Sequence, residues 1–416
     1  VPSNPNDVEP TKHTVSLPLV KTPSKRGKRL ALLALAMGGF GIGTTEFASM
    51  GLLPYIADGF EVTIPQAGQG ISTYALGVVV GAPLITGLAA KVERKLLLVV
   101  LLSVFVLGNL FTAIAPTQPL FLVARFFTGL PHGAYFGVAV VVAASLVKKS
   151  RRARAIARVM LGLAVANIVG VPLVTLLGHT AGWRGAYGLT GAIGVLALLA
   201  VVAWVPQTHR DLGASFKREL SALKRPQVLL AVAIGAIGFG GIFAVYTYVS
   251  PIFTDVAGVP LNTIPWVLAA YGFGMTAGTV LAGPIVDRTV MGSIIYGTLG
   301  LGVVLAVFAI VASNATAALV VLVLIGAVGA LINTGLQVRL MNVSKGAPSL
   351  AASMNHSAFN LANANGAFLG GVIITAGYGL LAPAWVGVAL AVIGVAIAVF
   401  ALALERHATK ATTTMA

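Results

Sequence analysis

Long uncharged apolar runs follow one another through nearly the whole chain, and no other feature limits its fold so tightly. About 20 consecutive, mostly apolar residues make a helix long enough to cross a bilayer. Twelve such stretches can be marked, roughly at 30–57, 65–90, 95–115, 119–147, 155–178, 185–205, 228–253, 263–286, 291–312, 316–338, 350–377 and 381–404. None has the period-2 alternation of a membrane strand, so helices are the spanning form. Only 9% of residues are charged, against about 25% in a soluble domain. Too few charges are present to cover a water-facing surface, which excludes an ordinary soluble enzyme, a nucleic-acid binder and a secreted disulfide scaffold. The chain has no cysteine, hence no thiolate metal site. The expected fold is all-α and polytopic, with twelve transmembrane helices.

A formal charge of +16 would ordinarily suggest acidic partners, but its placement points elsewhere. Every Lys and Arg except Arg125 and Arg184 falls in the two tails or in the segments on one side of the spans. Basic loops stay in the cytoplasm, so both termini are expected there. Asp58, Glu61 and Asp255 fall on the opposite side, which carries no lysine. Residues 1–29 are polar and proline-containing, without an apolar run and cleavage site, and read as a disordered cytoplasmic tail.

The chain also resembles itself. Tyr74-x-x-Gly77-x-x-x-Gly81 recurs as Tyr271-x-x-Gly274-x-x-x-Gly278, and Ala166-Asn167-x-x-Gly170 recurs as Ala362-Asn363-x-x-Gly366. Two matches at nearly one offset, in spans 2/8 and 5/11, point to a duplication. It gives an N-terminal six-helix bundle at 30–205, a basic linker at 206–227, a C-terminal bundle at 228–404 and a C-tail at 405–416. Parallel repeats of this kind build transporters whose substrate site lies between the halves near the membrane midplane.

Ionisable groups at membrane depth cost about 2.5–3.5 kcal/mol on insertion scales and are functional suspects. Glu46, in the outer half of span 1, and Arg125, just inside the outer end of span 4, are the two that remain once loop ends are discounted. Their depths allow pairing, and burial and a neighbouring Arg act in opposite senses on a carboxyl group. Glu46 is therefore the expected proton-coupling acid and Arg125 its electrostatic partner; a fixed structural ion pair is the alternative. Gly129, Gly133 and Gly137 make a small-residue packing face on span 4. His132, near the Arg125 face, reads first as a helix-packing hydrogen bonder and secondly as a proton relay. No second His or carboxylate stands at metal-ligand spacing beside it.

His356, Asn360 and Asn363 share one face of span 11 at 100° per residue, and Asn333 and Gln337 are neighbours on span 10. Amides at that depth either line a wet cavity or cross-link helices. Phe239, Phe243 and Tyr246 make an aromatic face on span 7 that suits either a ligand or packing; Tyr248 sits off it. Together with His132 these are the candidate substrate-binding residues. Asp287-Arg288 closes span 8, where an acid is disfavoured by the helix dipole, and reads as a latch or as a solvated loop charge.

With those residues in place the chain resembles the major facilitator superfamily. The resemblance is to its twelve-span drug:proton antiporter branch, with arabinose-efflux-permease-like and sugar-efflux-like members, and it covers residues 30–404. Gly43-Thr-Thr-Glu46-Phe47 is similar to that branch's first-helix acidic motif. Arg125-Phe-Phe-Thr-Gly129 is similar to the span-4 motif whose Arg is assigned to proton coupling. Gly170-Val-Pro172 resembles the motif that bends span 5 and is associated with export, although Leu176-Leu177-Gly178 replaces a Gly pair after it. Ser357-Ala-Phe-Asn360-Leu-Ala-Asn363-Ala-Asn-Gly366 resembles the span-11 signature. The loop after span 2 departs from the family: Gly-x-Leu-Ala-Asp-Arg-x-Gly is replaced by Gly87-Leu-Ala-Ala-Lys91-Val-Glu93-Arg94, without the Asp, whereas Gly283–Arg288 keeps the acid.

The resemblance implies a proton-driven exporter of small organic molecules, and one acid, one Arg, several amides and some aromatics suit neutral or weakly charged ones such as sugars, nucleosides or phenicol-type drugs. It would work without a cofactor, as a monomer in a bacterial cytoplasmic membrane. The protein is not expected to be an enzyme. Its expected partners are substrate, protons and lipid, with no nucleic acid. No phosphate-binding loop is present to use ATP. Import by symport or facilitated diffusion is the first alternative, and a non-transporting receptor the second.

Overall fold

A computed structural model describes residues 23–89, 91–148, 151–208, 225–344 and 348–414. It is helical almost throughout, with no strand among the described residues. Span 1 is Lys25–Gly51, continued by the short helix Leu53–Phe60; spans 2, 3 and 4 are Ile64–Leu88, Arg94–Ile114 and Gln118–Ser145. Arg152–Val165, a π turn at Ala166–Gly170 and the helix Val171–Trp204 together form spans 5 and 6. Span 7 is the broken series Pro226–Ala233, Ile234–Gly238, Gly240–Tyr246, Val249–Pro251 and Ile252–Val256. Spans 8 to 11 are Ile264–Arg288, Val290–Val311, Ala315–Val343 and Pro348–Ile373, and span 12 is Ala382–Thr414.

Ten helices among the described residues are long and apolar enough to cross a membrane. One of them, Arg154–Trp204, is two spans: Gly182, at φ 75°, breaks it, a left-handed conformation that only glycine adopts cheaply. The polar helix Pro348–Ile373 supplies the twelfth. Arg184, expected in a loop, follows this break directly. Its guanidinium lies 4.1 Å from the Trp183 ring and donates to the Ala115 carbonyl at 3.0 Å, which accounts for a lone cation there. At the other end, helix continues past the expected last span boundary to Thr414 and begins at Lys25 rather than at 30.

The two bundles repeat each other's packing. Span 1 packs on 5, 2 on 4, and 3 on both 4 and 6; equivalently 7 packs on 11, 8 on 10, and 9 on both 10 and 12. A Cβ on Gly77 or Gly81 would strike the carbonyls of Phe126 and Leu130. At an offset of 197, a Cβ on Gly274 or Gly278 would strike those of Val323 and Ala327. The duplicated glycines are thus the points where two backbones touch. The span-4 glycines face the same way: Gly129 abuts the Tyr74 carbonyl and Gly133 the Ala82 side chain. Between bundles spans 2 with 11 and 5 with 8 pack most extensively, again related by the repeat, and span 4 also meets span 11.

Polar contacts fix the tail-bearing end. Arg339 bonds Glu405 at 2.9 Å and Gln227 at 2.8 Å, joining spans 10, 12 and 7. The opposite, far end starts span 2 with a reciprocal cap between Thr63 and Gln66. Large apolar side chains such as Trp266, Phe273, Tyr296 and Ile310 are exposed, the pattern of a surface meant for lipid rather than water. A groove of about 450 Å³ between spans 3 and 4 is lined wholly by apolar residues, among them Leu107, Phe111 and Phe127. It offers no group to fix a polar ligand.

Candidate functional site

The buried run Thr44-Thr45-Glu46 lies where span 1 meets both bundles. Glu46 is 6% exposed. Its Oε2 stands 3.9 Å from Nε2 of His132 on span 4. The Asn360 amide on span 11 and the Arg125 guanidinium on span 4 both act on its carboxyl group. Tyr74 on span 2 and Tyr271 on span 8 are near enough to feel its charge. Five spans from both bundles therefore converge on one carboxyl.

Arg125 is fully buried but forms no ion pair with Glu46 among the described residues. The alternative of a fixed ion pair is not formed here, because the Arg donors go elsewhere. Nη2 donates to the Thr45 carbonyl at 3.3 Å and Nε to the Gly70 carbonyl at 3.4 Å. Its guanidinium lies 4.3 Å from the Tyr74 ring centroid and 5.3 Å from that of Tyr187. A planar fork suits this use, tying three spans together and lying over aromatic rings. Arg125 thus acts on Glu46 through space while its donors hold spans 1 and 2 in place. Around it, Thr45 donates to Asn109 at 2.5 Å and Ser49 is 2.7 Å from the Tyr187 hydroxyl.

His132 is completely buried, with Nδ1 3.0 Å from the Tyr74 hydroxyl and Nε2 left without a hydrogen bond among the described residues. Its ring centroid is 5.5 Å from that of His356, which stacks on Phe136 at 4.7 Å and 8°. His132 and Phe136 come from one bundle and His356 from the other.

Asn360 and Asn363 are buried beside this group, and the Asn363 side-chain amide has no partner for either atom among the described residues. Asn360 spends its Nδ2 on the His356 carbonyl at 3.1 Å. Asn333 and Gln337 are not brought to Glu46: Asn333 accepts from Asn355 at 3.0 Å, and Gln337 lies one turn further along span 10. The span-7 aromatics turn inward on one another and on span 1. Phe243 stacks on Phe47 at 6.5 Å, Tyr246 on Tyr271 at 3.9 Å, and Phe239 meets Phe359 edge-on at 4.3 Å. They form an aromatic plug between bundles directly beside Glu46. Tyr248, off that face as expected, bonds the Ala367 carbonyl at 2.7 Å.

Gly170 ends the π turn of span 5, and a Cβ there would strike Thr44. Pro172 lacks an N–H and crowds the carbonyl one turn back; the ladder accommodates it by widening, with the Val171 N–H bonding the Ala166 carbonyl. Asp287 and Arg288 are exposed and form neither an ion pair nor a hydrogen bond among the described residues, so the latch contact is not made in this arrangement. Glu93 has a partner instead. It caps span 3 through Lys95 and Leu96 N–H groups at 3.1 and 2.7 Å and accepts from the Thr208 N–H and hydroxyl at 2.8 and 2.9 Å. Partial burial pushes its carboxyl up, but these bonds outweigh that and hold it below the usual carboxylate range. Among the described residues no three His, Asp or Glu gather to hold a metal.

Sequence reasoning named Tyr74 and Tyr271 only as markers of the duplication and Phe47 only within the span-1 motif, and passed over Phe136 and Asn109. Their repeat position was the available signal for the tyrosines: residues kept in both copies at a bundle interface are candidates for the site it encloses.

Residues 35–352 match the family model of the Major Facilitator Superfamily. The chain belongs to that superfamily. Among relatives in it, the inner membrane transport protein YdhP of Escherichia coli K12 is 43% identical over 348 residues, 84% of this chain and 90% of its own. A chloramphenicol resistance protein of Streptomyces lividans is 31% identical over 368 residues, 87% and 94% of the two chains. The crystal structure of a D-xylose–proton symporter superposes with a TM-score of 0.72 at 16% identity, covering 90% of this chain and 97% of that one. Superfamily membership makes this a multi-pass membrane transporter rather than an enzyme, with the twelve helices in two pseudo-symmetric bundles.

Proposed function

We propose that the protein is a proton-coupled antiporter that exports small organic molecules by alternating access. The reading rests on one observation above the rest: a single carboxyl group, Glu46, buried where five spans of both bundles meet, is acted on by Asn360 of span 11, one helical turn from the unpartnered Asn363 amide. In such a place a carboxyl can hold either a proton or its charge against Arg125, and a substrate arriving on Asn360 and Asn363 changes which is favoured. Proton and substrate then exclude each other, and each drives the other's release. Likeness to a chloramphenicol resistance protein supports export of compounds of that kind. One acid, one Arg with Nε and Nη2 engaged, amides and aromatics suit neutral or weakly charged amphipathic molecules better than strong anions. The proton gradient is the drive and no cofactor takes part. The working unit is a monomer in the bacterial cytoplasmic membrane with both tails in the cytoplasm.

Reconstitution into liposomes with an internal pH dye tests this. Chloramphenicol, uridine and arabinose are each added to wild type and to Glu46→Gln. Substrate-evoked proton movement opposite to the substrate, lost in Glu46→Gln, is the expected result. Movement in the same direction would establish symport, and proton coupling retained by Glu46→Gln would remove that residue from the role.

A further inference from the structure

We infer that His132 and His356 are the leg of the proton path that joins Glu46 to the tail-bearing side, and that this leg closes only when the two bundles meet as they do here. The inference rests on Glu46 being the coupling acid.

Depth supplies the first argument. At about 1.5 Å per helical residue, His356 lies roughly 12 Å above the start of span 11 at Pro348. His132 lies roughly 20 Å above the end of span 4 at Ser145, and Glu46 roughly 32 Å beyond the start of span 1 at Lys25. Counted along its own helix, His356 is the nearest of the three to the tail-bearing end and Glu46 the farthest, and Phe136 stacks on His356.

Chemistry supplies the second. The His132 Nε2 points at the Glu46 carboxyl across 3.9 Å and has no other partner among the described residues. Its Nδ1 faces the Tyr74 hydroxyl at 3.0 Å. When Nδ1–H donates to the Tyr74 oxygen, the Nε2 lone pair is presented to the acid. The Glu46 proton moves to Nε2, leaving a carboxylate and an imidazolium. The imidazolium passes a proton to the His356 ring and returns to neutral, and His356 releases it toward the tail-bearing side. A gap of 3.9 Å exceeds hydrogen-bonding range, so the transfer waits for the Glu46 side chain to swing closer. The groups that face the pair are Glu46 on span 1, Tyr74 on span 2, Arg125 one face along span 4 and, on span 11, Asn360.

The third argument is the origin of the two rings. Glu46 and His132 stay together in one bundle, while His356 belongs to the other. Any movement of one bundle against the other changes the 5.5 Å ring contact, so the step between the rings depends on how the two bundles meet.

Infrared difference spectroscopy on proteoliposomes with the tail-bearing end outward tests the relay without needing a substrate. The protonated-carboxyl band that Glu46→Gln removes is followed after an external pH jump. His132→Asn and His356→Ala are expected to slow its loss at least tenfold at unchanged thermal unfolding midpoints, and millimolar imidazole is expected to restore the rate in His356→Ala. Wild-type rates in both folded variants would overturn the relay. A slow phase in His132→Asn alone would overturn the step across the interface. If Glu46→Gln removes no band, the coupling role of Glu46 fails first, and the relay with it.

Discussion

Arg125 and Glu46 divide the labour of a buried charge pair without touching. The Arg fork bridges the Thr45 and Gly70 carbonyls over the Tyr74 ring, so a lysine, with one compact ammonium, cannot replace it. Losing one charged hydrogen bond is worth about 1.5–3 kcal/mol. Arg125→Lys is therefore expected to lower coupled transport roughly 10- to 100-fold while the protein still inserts and folds, as measured by initial rates in proteoliposomes. Glu93 shows the opposite case, a carboxylate held by donors outside the membrane. Its folded-state pKa lies below its unfolded value, so the stabilisation is present above the unfolded pKa and is lost as pH falls through the folded one. Glu93→Gln should lower stability at neutral pH by about 0.5–2 kcal/mol, as for other helix caps, read as a lower unfolding midpoint. That difference should vanish in acid. Glu46 and Arg125 were legible because charge at membrane depth is rare and costly. Tyr74, Tyr271 and Phe47 were not, since an aromatic in an apolar run reads the same whether it packs or surrounds an acid.

Helix backbones meet at glycine in both bundles, so the spans themselves predict where substitution hurts. Gly81→Ala and Gly278→Ala each push a methyl into a carbonyl of the facing helix, and overpacking of that kind costs about 1–3 kcal/mol. Gly283→Ala, with open space beside it, should be neutral. Thermal unfolding of the three variants in detergent checks the contrast. The positions of most spans followed from hydropathy, which sees only length and apolarity. It could not see that spans 5 and 6 join through Gly182 without a loop, because a left-handed glycine leaves no mark in composition. Nor did it show span 7 broken into short pieces, although Gly235, Gly238, Gly240, Gly241 and Pro251 lie there. Glycine and proline are ordinary in membrane helices, where neighbours satisfy the freed backbone groups.

Taken whole, the molecule is closed between bundles from mid-depth to the far end. Ser72 donates to the Ala364 carbonyl, Tyr248 packs on Gly68 and Gly371, and Phe47 meets Phe243. The duplication announced two bundles; which spans would face each other across them was not legible, because that choice depends on three-dimensional packing and not on either half alone. A Cβ on Gly371 would lie 3.5 Å from that of Pro65, at the short end of the disulfide range of about 3.5–4.5 Å. In this cysteine-free chain, Pro65→Cys with Gly371→Cys should oxidise once the Tyr248 hydroxyl, 2.7 Å from the added Cβ, yields, and should then arrest transport and regain it on reduction; transport that persists in the oxidised pair would show that the far end need not open. The central claim is that proton and substrate compete for Glu46, and proton release on binding measures it most directly. Purified protein in weakly buffered solution, with a pH indicator, is mixed with whichever of chloramphenicol, uridine or arabinose raises its unfolding midpoint. Wild type is predicted to release up to one proton per substrate bound and Glu46→Gln none. Binding without release in wild type, or equal release in both, would contradict the account.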